Sequence, residues 1–509
     1  MSFPSRIDTH TGTTRCIGSA VCRTWCTGIA WGCQDFLPYS VVTGVLGVLP
    51  GHPHPDTSGP IASVLSAIPI PMTASGSPAP FRLLAQCPPG LEPTLTRELE
   101  ALGVPLPEQT SVVGGVTWDG GWAHLLRANL HLRVASRVLV EVGSFRARAL
   151  GELVRKGRQA VDWERIFAVA EGDGGRVVFR VSASRSRLYH EGAIEERLRE
   201  AGDLPEPPGT LPEASRALPV AGPSAAAAGV EGDEGPSGRR TQVEAKGPTA
   251  ASPVLVVVRV HRDKVTVRLD TSGAHLHQRG YRRHVGAAPM RETLAAALLL
   301  QGPLEPNGEW SRPSVVDPFC GSGTIPIEAA LLARRIPPAM ASPGFTPRDF
   351  ACLHWPDLPH EVWEAEVAEA RARIRPLDRR QFTVYGSDRD ARAVEAARAN
   401  AERAGVLDDV ELATAPLSRA PHPDQPGWVV TNPPFGTRLG GRKSLRPLYA
   451  ALGRSVQPGG TMAGWQLLYL SADPVLDQAT GLPLHMRMAT RHGGLAVRAM
   501  AGPDPSSSP

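Results

Sequence analysis

Three short stretches of this 509-residue sequence combine residue types that could bind a small polar ligand and activate a group on it. The first runs DPFCGSGT from Asp317 to Thr324, between an apolar run and a helical pattern. Gly321 and Gly323 let the backbone turn sharply and approach a ligand closely, because glycine has no Cβ. Asp317 could fix this loop or hold a ligand ammonium group. Tight turns between a strand and a helix also use glycine for steric reasons, so this stretch alone leaves cofactor binding open.

The second stretch, at positions 385–388, ends on Asp388, which follows the next apolar run. An acid at the end of such a strand commonly accepts hydrogen bonds from the ribose hydroxyls of a nucleoside. The insertion at 337–381 lengthens the usual spacing of about 20 residues between glycines and acid. Asp388 or Asp390 could instead cap the Ala- and Arg-rich helix that follows. For Asp390 we favour the cap.

The third stretch reads TNPPFG from Thr431 to Gly436. Its two prolines restrict the backbone. The Asn432 side-chain oxygen and the Pro433 carbonyl can then accept hydrogen bonds from both N–H groups of a planar exocyclic amine. Phe435 can stack on the base that carries this amine. A simple turn is the alternative for Asn-Pro-Pro taken alone. Together with the glycine loop and the acid, this stretch favours an amine-binding site.

Hydrophobic periodicity predicts the elements that position these stretches. Residues 81–202 and 253–270 alternate strand and helix patterns, including the hairpin VLVVVRVHRDKVTVRLD, and indicate an α+β module. Residues 271–500 have the rhythm of a parallel sheet, with strands directly before Asp317, Asp388 and Asn432. Ligands of doubly wound sheets bind at the carboxyl ends of the strands. We therefore expect the three stretches to meet at one edge of an α/β sheet.

Two segments and the cysteine pattern fall outside this rhythm. Residues 1–71 hold few charges and no sustained periodicity, and we predict a disordered extension, with a mis-assigned start or a cryptic targeting segment as alternatives. Residues 203–252 are rich in Pro, Ala, Gly, Glu and Ser, which predicts a disordered insert. Four early cysteines lack the paired C-x2-C spacing of zinc sites, so no metal site is expected; they are Cys16, Cys22, Cys26 and Cys33.

Composition limits the classes of protein that remain. The chain carries 54 basic and 50 acidic residues, a net charge of +4 that excludes a histone-like tail protein. No apolar run approaches the length of a transmembrane helix, so a membrane partner is not expected. The odd total of seven cysteines argues against a disulfide framework and favours a reducing, cytoplasmic location. Nothing in the sequence indicates an obligate protein partner.

Several segments resemble a known family. DPFCGSGTIPIEAALLA, GSDRDARAVEAARANAERAG and TNPPFGTRLG are similar to the cofactor, ribose and catalytic segments of class I S-adenosylmethionine-dependent methyltransferases. More narrowly, SRSRLYHEGAIEERL at 184–198 and LDTSGAHLHQRGYRRHVGAAPMRETLAAALL at 269–299 resemble the family that joins a THUMP RNA-binding domain to such a catalytic domain. The resemblance implies a Rossmann-like class I methyltransferase domain preceded by an α+β THUMP domain with a ferredoxin-like element. It covers 81–497 without the insert.

The same resemblance implies roles for individual residues. The cofactor S-adenosylmethionine would be held by Asp317, Phe319, Gly321, Gly323, Thr324 and Asp388, and the target amine by Asn432, Pro433 and Phe435. RNA would be contacted by Arg185, Arg187, Tyr189, His190, Arg279, Arg282 and Arg438. For the Arg185–His190 cluster, an ordinary solvated surface is the alternative. Where the family often places an acid that holds adenine, this chain has Thr414, which leaves the adenine contact open.

The function that the resemblance implies is methyl transfer to guanine N2 in RNA. Similarity of 269–299 and 317–333 to the bacterial ribosomal branch favours 23S ribosomal RNA. A transfer-RNA guanine-N2 methyltransferase of the same family is the close alternative. A DNA adenine-N6 methyltransferase would share Asn-Pro-Pro-Phe but not the THUMP-like segments, and a non-enzymatic RNA-binding protein would need a broken site.

Overall fold

The computed structural model describes residues 80–108, 110–172, 176–204, 253–283, 290–435 and 442–502. The predicted extension at 1–71, with its four cysteines, lies outside these ranges. Nearly all of the predicted insert at 203–252 also lies outside them. Arg438 is likewise not among the described residues.

The first part of the described chain builds a seven-stranded sheet in the order β2-β3-β1-β4-β7-β6-β5. All neighbouring strands are antiparallel except β5 and β6. The strands are β1 (Phe81–Gln86), β2 (Ser111–Val112), β3 (Gly115–Gly120), β4 (Arg137–Arg146), β5 (Val177–Ser184), β6 (Val254–His261) and β7 (Lys264–Asp270). The helices are α1 (Glu92–Ala101), α2 (Trp122–His131), α3 (Leu150–Ala160), α4 (Trp163–Gly172) and α5 (Glu191–Ala201). The predicted 254–270 hairpin is confirmed as β6 and β7.

The second part builds another seven-stranded sheet, in the order β10-β9-β8-β11-β12-β14-β13. Its first five strands are parallel, and β14 runs antiparallel to both β12 and β13. The strands are β8 (Ser314–Asp317), β9 (Thr383–Asp388), β10 (Val410–Thr414), β11 (Trp428–Thr431), β12 (Gln466–Ser471), β13 (His485–His492) and β14 (Leu495–Gly502). The helices are α6 (Glu292–Leu299), α7 (Thr324–Ala333), α8 (His360–Arg373), α9 (Ala391–Arg403), α10 (Arg442–Val456) and α11 (Pro474–Ala479). The predicted α/β class is confirmed.

Side-chain alternation explains why the parallel strands are apolar throughout. Val315 and Val430 pack into one hydrophobic core, whereas their neighbours Val316 and Val429 pack into a second core with α10. Successive side chains of a strand point to opposite faces, so a sheet covered on both faces needs apolar residues at every position. This double burial fixes the strands and therefore the loops at their ends. No helix in the described ranges has both the length and the apolar character needed to cross a membrane.

The two sheets share packing and polar contacts. The larger hydrophobic core includes residues of both, among them Leu99 of α1 and Leu300 after α6. Arg127 of α2 forms an ion pair with Glu366 of α8, with Nη2 and Oε1 2.7 Å apart. The Thr490 hydroxyl of β13 donates to the Pro89 carbonyl over 2.9 Å. The turn after β1 therefore rests directly on the β13–β14 hairpin.

Replacing Gly90 in this turn by alanine should loosen that contact. Gly90 has φ +92°, and an added Cβ would lie 1.9 Å from the backbone oxygen of Ala489. We expect Gly90→Ala to lower the free energy of unfolding by about 1–3 kcal/mol, the usual cost of overpacking. Gly103→Ala is the matched control, because Gly103 has φ +73° with no atom within 4 Å of the added Cβ. Equal thermal unfolding midpoints for the two variants would contradict this close approach.

Candidate active site

Three adjacent strand ends bring the predicted stretches together. Asp317 ends β8 and Asp388 ends β9, while Asn432 directly follows β11 on the other side of β8. The Gly321 amide donates to Asp388 Oδ2 over 3.1 Å, and the Thr431 hydroxyl donates to Asp317 Oδ1 over 2.6 Å. The expected meeting of the three stretches at one sheet edge is confirmed.

The two glycines of the first loop have different surroundings. Gly321 has φ +53° and lines the cleft. Gly323, with φ +86°, precedes α7, and an added Cβ would lie 2.9 Å from the Ala397 Cβ of α9. Gly323 is absent from the residues that line the cleft. A glycine is therefore needed at position 323 because the loop packs closely against α9.

Asp388 and Asp390 have different surroundings, which distinguish the residue that caps the helix from the residue that faces the cleft. Asp390 is the N-cap of α9 and accepts a hydrogen bond from the Arg392 amide over 3.0 Å, which confirms the predicted cap. Asp388 instead accepts from the amides of Gly321 and Asp390, and it lines the cleft. Asp388 thus stabilises the glycine loop and faces the cleft.

Asp317 is a buried acid with an unusual protonation equilibrium. Only 1% of the residue is exposed, and burial raises the pKa of its carboxyl group to about 7. The nearby Asp388 carboxylate raises this pKa further, whereas hydrogen bonds from Thr431 and from the Phe319 amide lower it. A cation placed beside Asp317 would favour the ionised form. The site is therefore suited to an ammonium group.

Asn432 presents an acceptor without a donor. Its Oδ1 atom is buried and has no hydrogen-bond partner among the described residues. An unpaired buried polar atom is costly, which makes it a site where a ligand donor is expected. The Tyr449 hydroxyl donates to the Pro434 carbonyl over 3.3 Å and helps to hold the two prolines in place. Both Asn432 and Phe435 line the cleft.

The cleft has a volume of about 1640 Å³. This exceeds the roughly 300–1,000 Å³ of a typical small-molecule pocket and leaves room for a second molecule beside a cofactor. The predicted residues that line it are Asp317, Phe319, Gly321, Thr324, Asp388, Asn432, Pro433 and Phe435. Thr414 is exposed and does not line it, whereas Pro416, Leu417 and Ser418 do.

Other parts of the cleft wall were not predicted. Leu448 and Arg454 come from α10, and His492 and Leu495 come from the β13–β14 hairpin. A Gly-Gly pair between two strand-like runs, at 493–494, is the sequence signal that could have revealed this hairpin. Its position over the cleft depends on the pairing of β14 with β12, which no local pattern shows.

The Cys320 thiol lies in the glycine loop of this site. Burial raises the pKa of the Cys320 thiol well above its ordinary value, and the carboxylates of Asp317 and Asp388 add to the effect. The thiol is therefore protonated and a poor nucleophile. Within the described ranges, no group of three or more His, Cys, Asp or Glu side chains is arranged to hold a metal ion.

The predicted RNA contacts fall into two groups. Arg185, Arg187, Tyr189 and His190 are exposed just beyond β5, outside the cleft, and Tyr189 is 73% exposed. Arg148 and Arg262 are exposed on neighbouring loops, and Lys264, the first residue of β7, is exposed as well. Asp263 ties these loops together, because it accepts from the Arg187 amide over 2.9 Å and pairs with Arg148. We call the seven exposed residues, without Asp263, the β5-end surface: Arg148, Arg185, Arg187, Tyr189, His190, Arg262 and Lys264.

Arg279 is a correction to the sequence prediction, whereas Arg282 is partly exposed and its predicted RNA contact stays a prediction. The Arg279 side chain is fully buried, with Nε 2.8 Å from Oε1 of Glu328, which is fully buried as well. Arg282 pairs with Glu292, at 3.3 Å between Nη2 and Oε2, and donates to the Met290 carbonyl. Buried charges persist in pairs of this kind because desolvation is costly. Arg279 is out of reach of RNA, and both residues hold the chain near α6 and α7.

Comparison with known proteins places the chain in a family. Residues 279–494 match the RMKL-like methyltransferase domain of the UPF0020 family, and residues 82–139 match the RlmL ferredoxin-like domain. The putative RNA methyltransferase YpsC of Bacillus subtilis (strain 168) is 31% identical over 79% of this chain and 90% of its own length. The chain belongs to the RMKL-like methyltransferase family.

Longer family members and a solved structure extend this comparison. The ribosomal RNA large subunit methyltransferase K/L of Chromohalobacter salexigens is 34% identical over 83% of this chain. The chain spans about half of that relative, 52% of its length. The crystal structure of SMU.472, a putative methyltransferase complexed with SAH, is 28% identical, covering 83% of this chain and 98% of its own, with a TM-score of 0.62. The class I methyltransferase fold of this RMKL-like protein is shared with that structure.

Proposed function

We propose that this protein transfers a methyl group from S-adenosylmethionine to guanine N2 of RNA, with 23S ribosomal RNA as its substrate. The buried Asn432 Oδ1 atom, which has no hydrogen-bond partner among the described residues, carries the proposal, because it lies beside Asp317 at the sheet edge where this fold binds its ligand. The choice of ribosomal RNA is supported by the K/L relatives, whose names specify the large subunit. The choice of S-adenosylmethionine is supported by the bound SAH of the similar structure.

The cofactor roles follow the geometry of the three strand ends. The Asp388 carboxylate would accept hydrogen bonds from the ribose hydroxyls, and Asp317 would pair with the ammonium group of the methionine part. Phe319, Gly321 and Thr324 would form the wall between these two acids. Gly323 would act indirectly, by allowing the loop to pack against α9.

Catalysis at this site would rest on alignment and electrostatics. S-adenosylmethionine supplies a methyl group that is already activated by its sulfonium. Asn432 Oδ1 and the Pro433 carbonyl would accept hydrogen bonds from both N–H groups of the guanine amine. These two hydrogen bonds would keep the nitrogen lone pair from delocalising into the ring and would direct the lone pair at the methyl group. Phe435 would stack on the guanine ring. No covalent enzyme intermediate is needed.

We assign RNA recognition to the first sheet and chemistry to the second. Residues 81–202 with 253–270 would form the THUMP-like RNA-binding domain, and 271–500 the catalytic domain. Arginine and lysine on the β5-end surface can contact phosphates, and the exposed Tyr189 ring can stack on a base. Asp263 holds the loops of this surface together through the Arg187 amide and the Arg148 side chain.

The substrate polymer can be tested by methyl transfer from labelled cofactor into purified nucleic acids. Ribosomal RNA, transfer RNA and genomic DNA should come from cells that lack this protein. We expect label in the large ribosomal RNA, with little in the other two. Label in transfer RNA would change the substrate but keep the chemistry, whereas label in DNA alone would refute the proposed RNA function.

Asp317 should make cofactor binding depend on pH. Its pKa of about 7 means that the carboxyl group becomes protonated, and neutral, in a range where an ordinary aspartate is still ionised. Only the ionised form can pair with a ligand ammonium group. We expect the affinity for S-adenosylhomocysteine, measured by calorimetry, to fall by up to about tenfold per pH unit below pH 7. Asp317→Asn should bind weakly at every pH, and a flat wild-type profile from about pH 7.5 to about pH 5.5 would contradict this pairing.

A further inference from the structure

The order of the strands separates a cofactor side of the cleft from an opposite side. Asp388 and Asp317 end β9 and β8, and Asn432 follows β11, the next strand. Beyond β11 lie β12, β14 and β13. In-line transfer requires the accepting amine between the methyl donor and the rest of the base. Under the proposed function, the body of the target base therefore lies toward β12 and the β13–β14 hairpin.

The tip of this hairpin rises above the reacting edge of the sheet. Ser471, at the carboxyl end of β12, pairs with Arg498 of the antiparallel β14, while His492 pairs with Leu495, three residues earlier in β14. Three residues of strand span about 10 Å. The tip thus extends past the strand ends, and His492, Gly493 and Leu495 line the cleft.

The hairpin is also braced from outside the second sheet. Thr490, two residues before His492, donates to the Pro89 carbonyl, and Gly90 packs against the Ala489 backbone. The turn after β1 therefore fixes the strand that carries His492. A side chain on a braced strand is held more precisely than one on a free loop.

His492 has the chemistry of a base-reading residue. The residue is half-buried, and within the described ranges its ring makes no hydrogen bond. Burial lowers its pKa, and the neighbouring Arg291 and Arg282 cations lower it further. The ring is therefore neutral near pH 7 and offers one donor and one acceptor.

We propose that His492 recognises the target base by donating its ring N–H to guanine O6. This inference rests on the proposed function, because Asn432 would hold N2 at one end of the Watson–Crick edge and O6 lies at the other end. Adenine bound with its N6 amine at Asn432 would present C2–H at the other end of this edge, and C2–H cannot accept a hydrogen bond from His492. His492 would therefore favour guanine over adenine at a site whose Asn-Pro-Pro-Phe motif accepts either amine.

The test uses the wild-type product to define the substrate. Ribosomal RNA labelled by the wild-type protein is digested, the labelled fragment is sequenced, and RNA of that sequence is synthesised with either guanosine or 2-aminopurine riboside at the target. 2-Aminopurine keeps the amine but lacks O6. The value of kcat/KM is measured on both RNAs for wild type, His492→Ala and His492→Gln. Met486→Ala is the control, since Met486 lies on the same strand, 58% exposed and away from the cleft.

We expect His492→Ala to lower kcat/KM on the guanosine RNA by about tenfold, with unchanged affinity for S-adenosylhomocysteine. The preference of wild type for guanosine over 2-aminopurine should shrink by a similar factor in this variant. His492→Gln keeps an N–H donor and should recover part of the loss. An undiminished preference in His492→Ala would overturn the contact with O6 and leave the proposed function intact. A wild-type protein that labels no RNA would overturn both.

Discussion

Asn432→Ala is expected to reduce methyl transfer by about 10²–10³-fold or more while cofactor affinity stays at the wild-type level. Removing one preorganised hydrogen-bonding group from an active site commonly has an effect of this size. The substitution removes the buried acceptor that would orient the target amine, but it touches neither Asp317 nor Asp388. The measurements are kcat on ribosomal RNA and the dissociation constant of S-adenosylhomocysteine.

Two further variants make this result interpretable. Asn432→Asp keeps an acceptor oxygen and a similar shape, so it should retain more activity than the alanine variant. Asn307→Ala changes an asparagine in an exposed turn whose side chain, among the described residues, accepts from the Glu309 amide, and it should behave like wild type. Appreciable turnover by Asn432→Ala would remove Asn432 from the mechanism.

Asp388→Ala should weaken cofactor binding by about 10–100-fold. A hydrogen bond to a charged group contributes roughly 1.5–3 kcal/mol, and Asp388 would lose its ribose contacts together with its support of the Gly321 amide. Calorimetric titration with S-adenosylhomocysteine measures this loss directly. Activity should recover in part when the cofactor concentration is raised.

Asp390→Ala is the matched control for this variant. Asp390 lies two residues away and caps α9, so its loss should cost about 1 kcal/mol of stability without changing cofactor affinity. The pair therefore separates ligand binding from helix capping. Equal cofactor affinities in the two variants would leave Asp388 with a structural role only.

Local sequence was sufficient to predict the parts of the site that follow a strand directly. Asp317, Asp388 and Asn432 each lie where an apolar run stops, and parallel strands bring their carboxyl ends to one edge. The separate roles of Asp388 and Asp390 could be anticipated for the same reason, because an N-cap is a local feature. These inferences needed no knowledge of distant contacts.

The errors and omissions concern residues whose surroundings are set by distant parts of the chain. Arg279 has the residue type of an RNA contact, but Glu328, on α7, encloses it in a buried ion pair. Gly323 was assigned to the cofactor, and its close packing against Ala397 of α9 could not be anticipated. His492 reaches the cleft only because β14 pairs with β12. Charge and residue type do not show which side chain another element will cover.

The central claim is that Asn432 directs a guanine amine of RNA at the methyl group of S-adenosylmethionine. Its most direct test is mass analysis of nucleosides from ribosomal RNA that lacks the modification, after incubation with labelled cofactor and either wild type or Asn432→Ala. We expect labelled N2-methylguanosine from the large ribosomal RNA with wild type and none with the variant. Label in methyladenine instead, or equal N2-methylguanosine with both proteins, would contradict the claim.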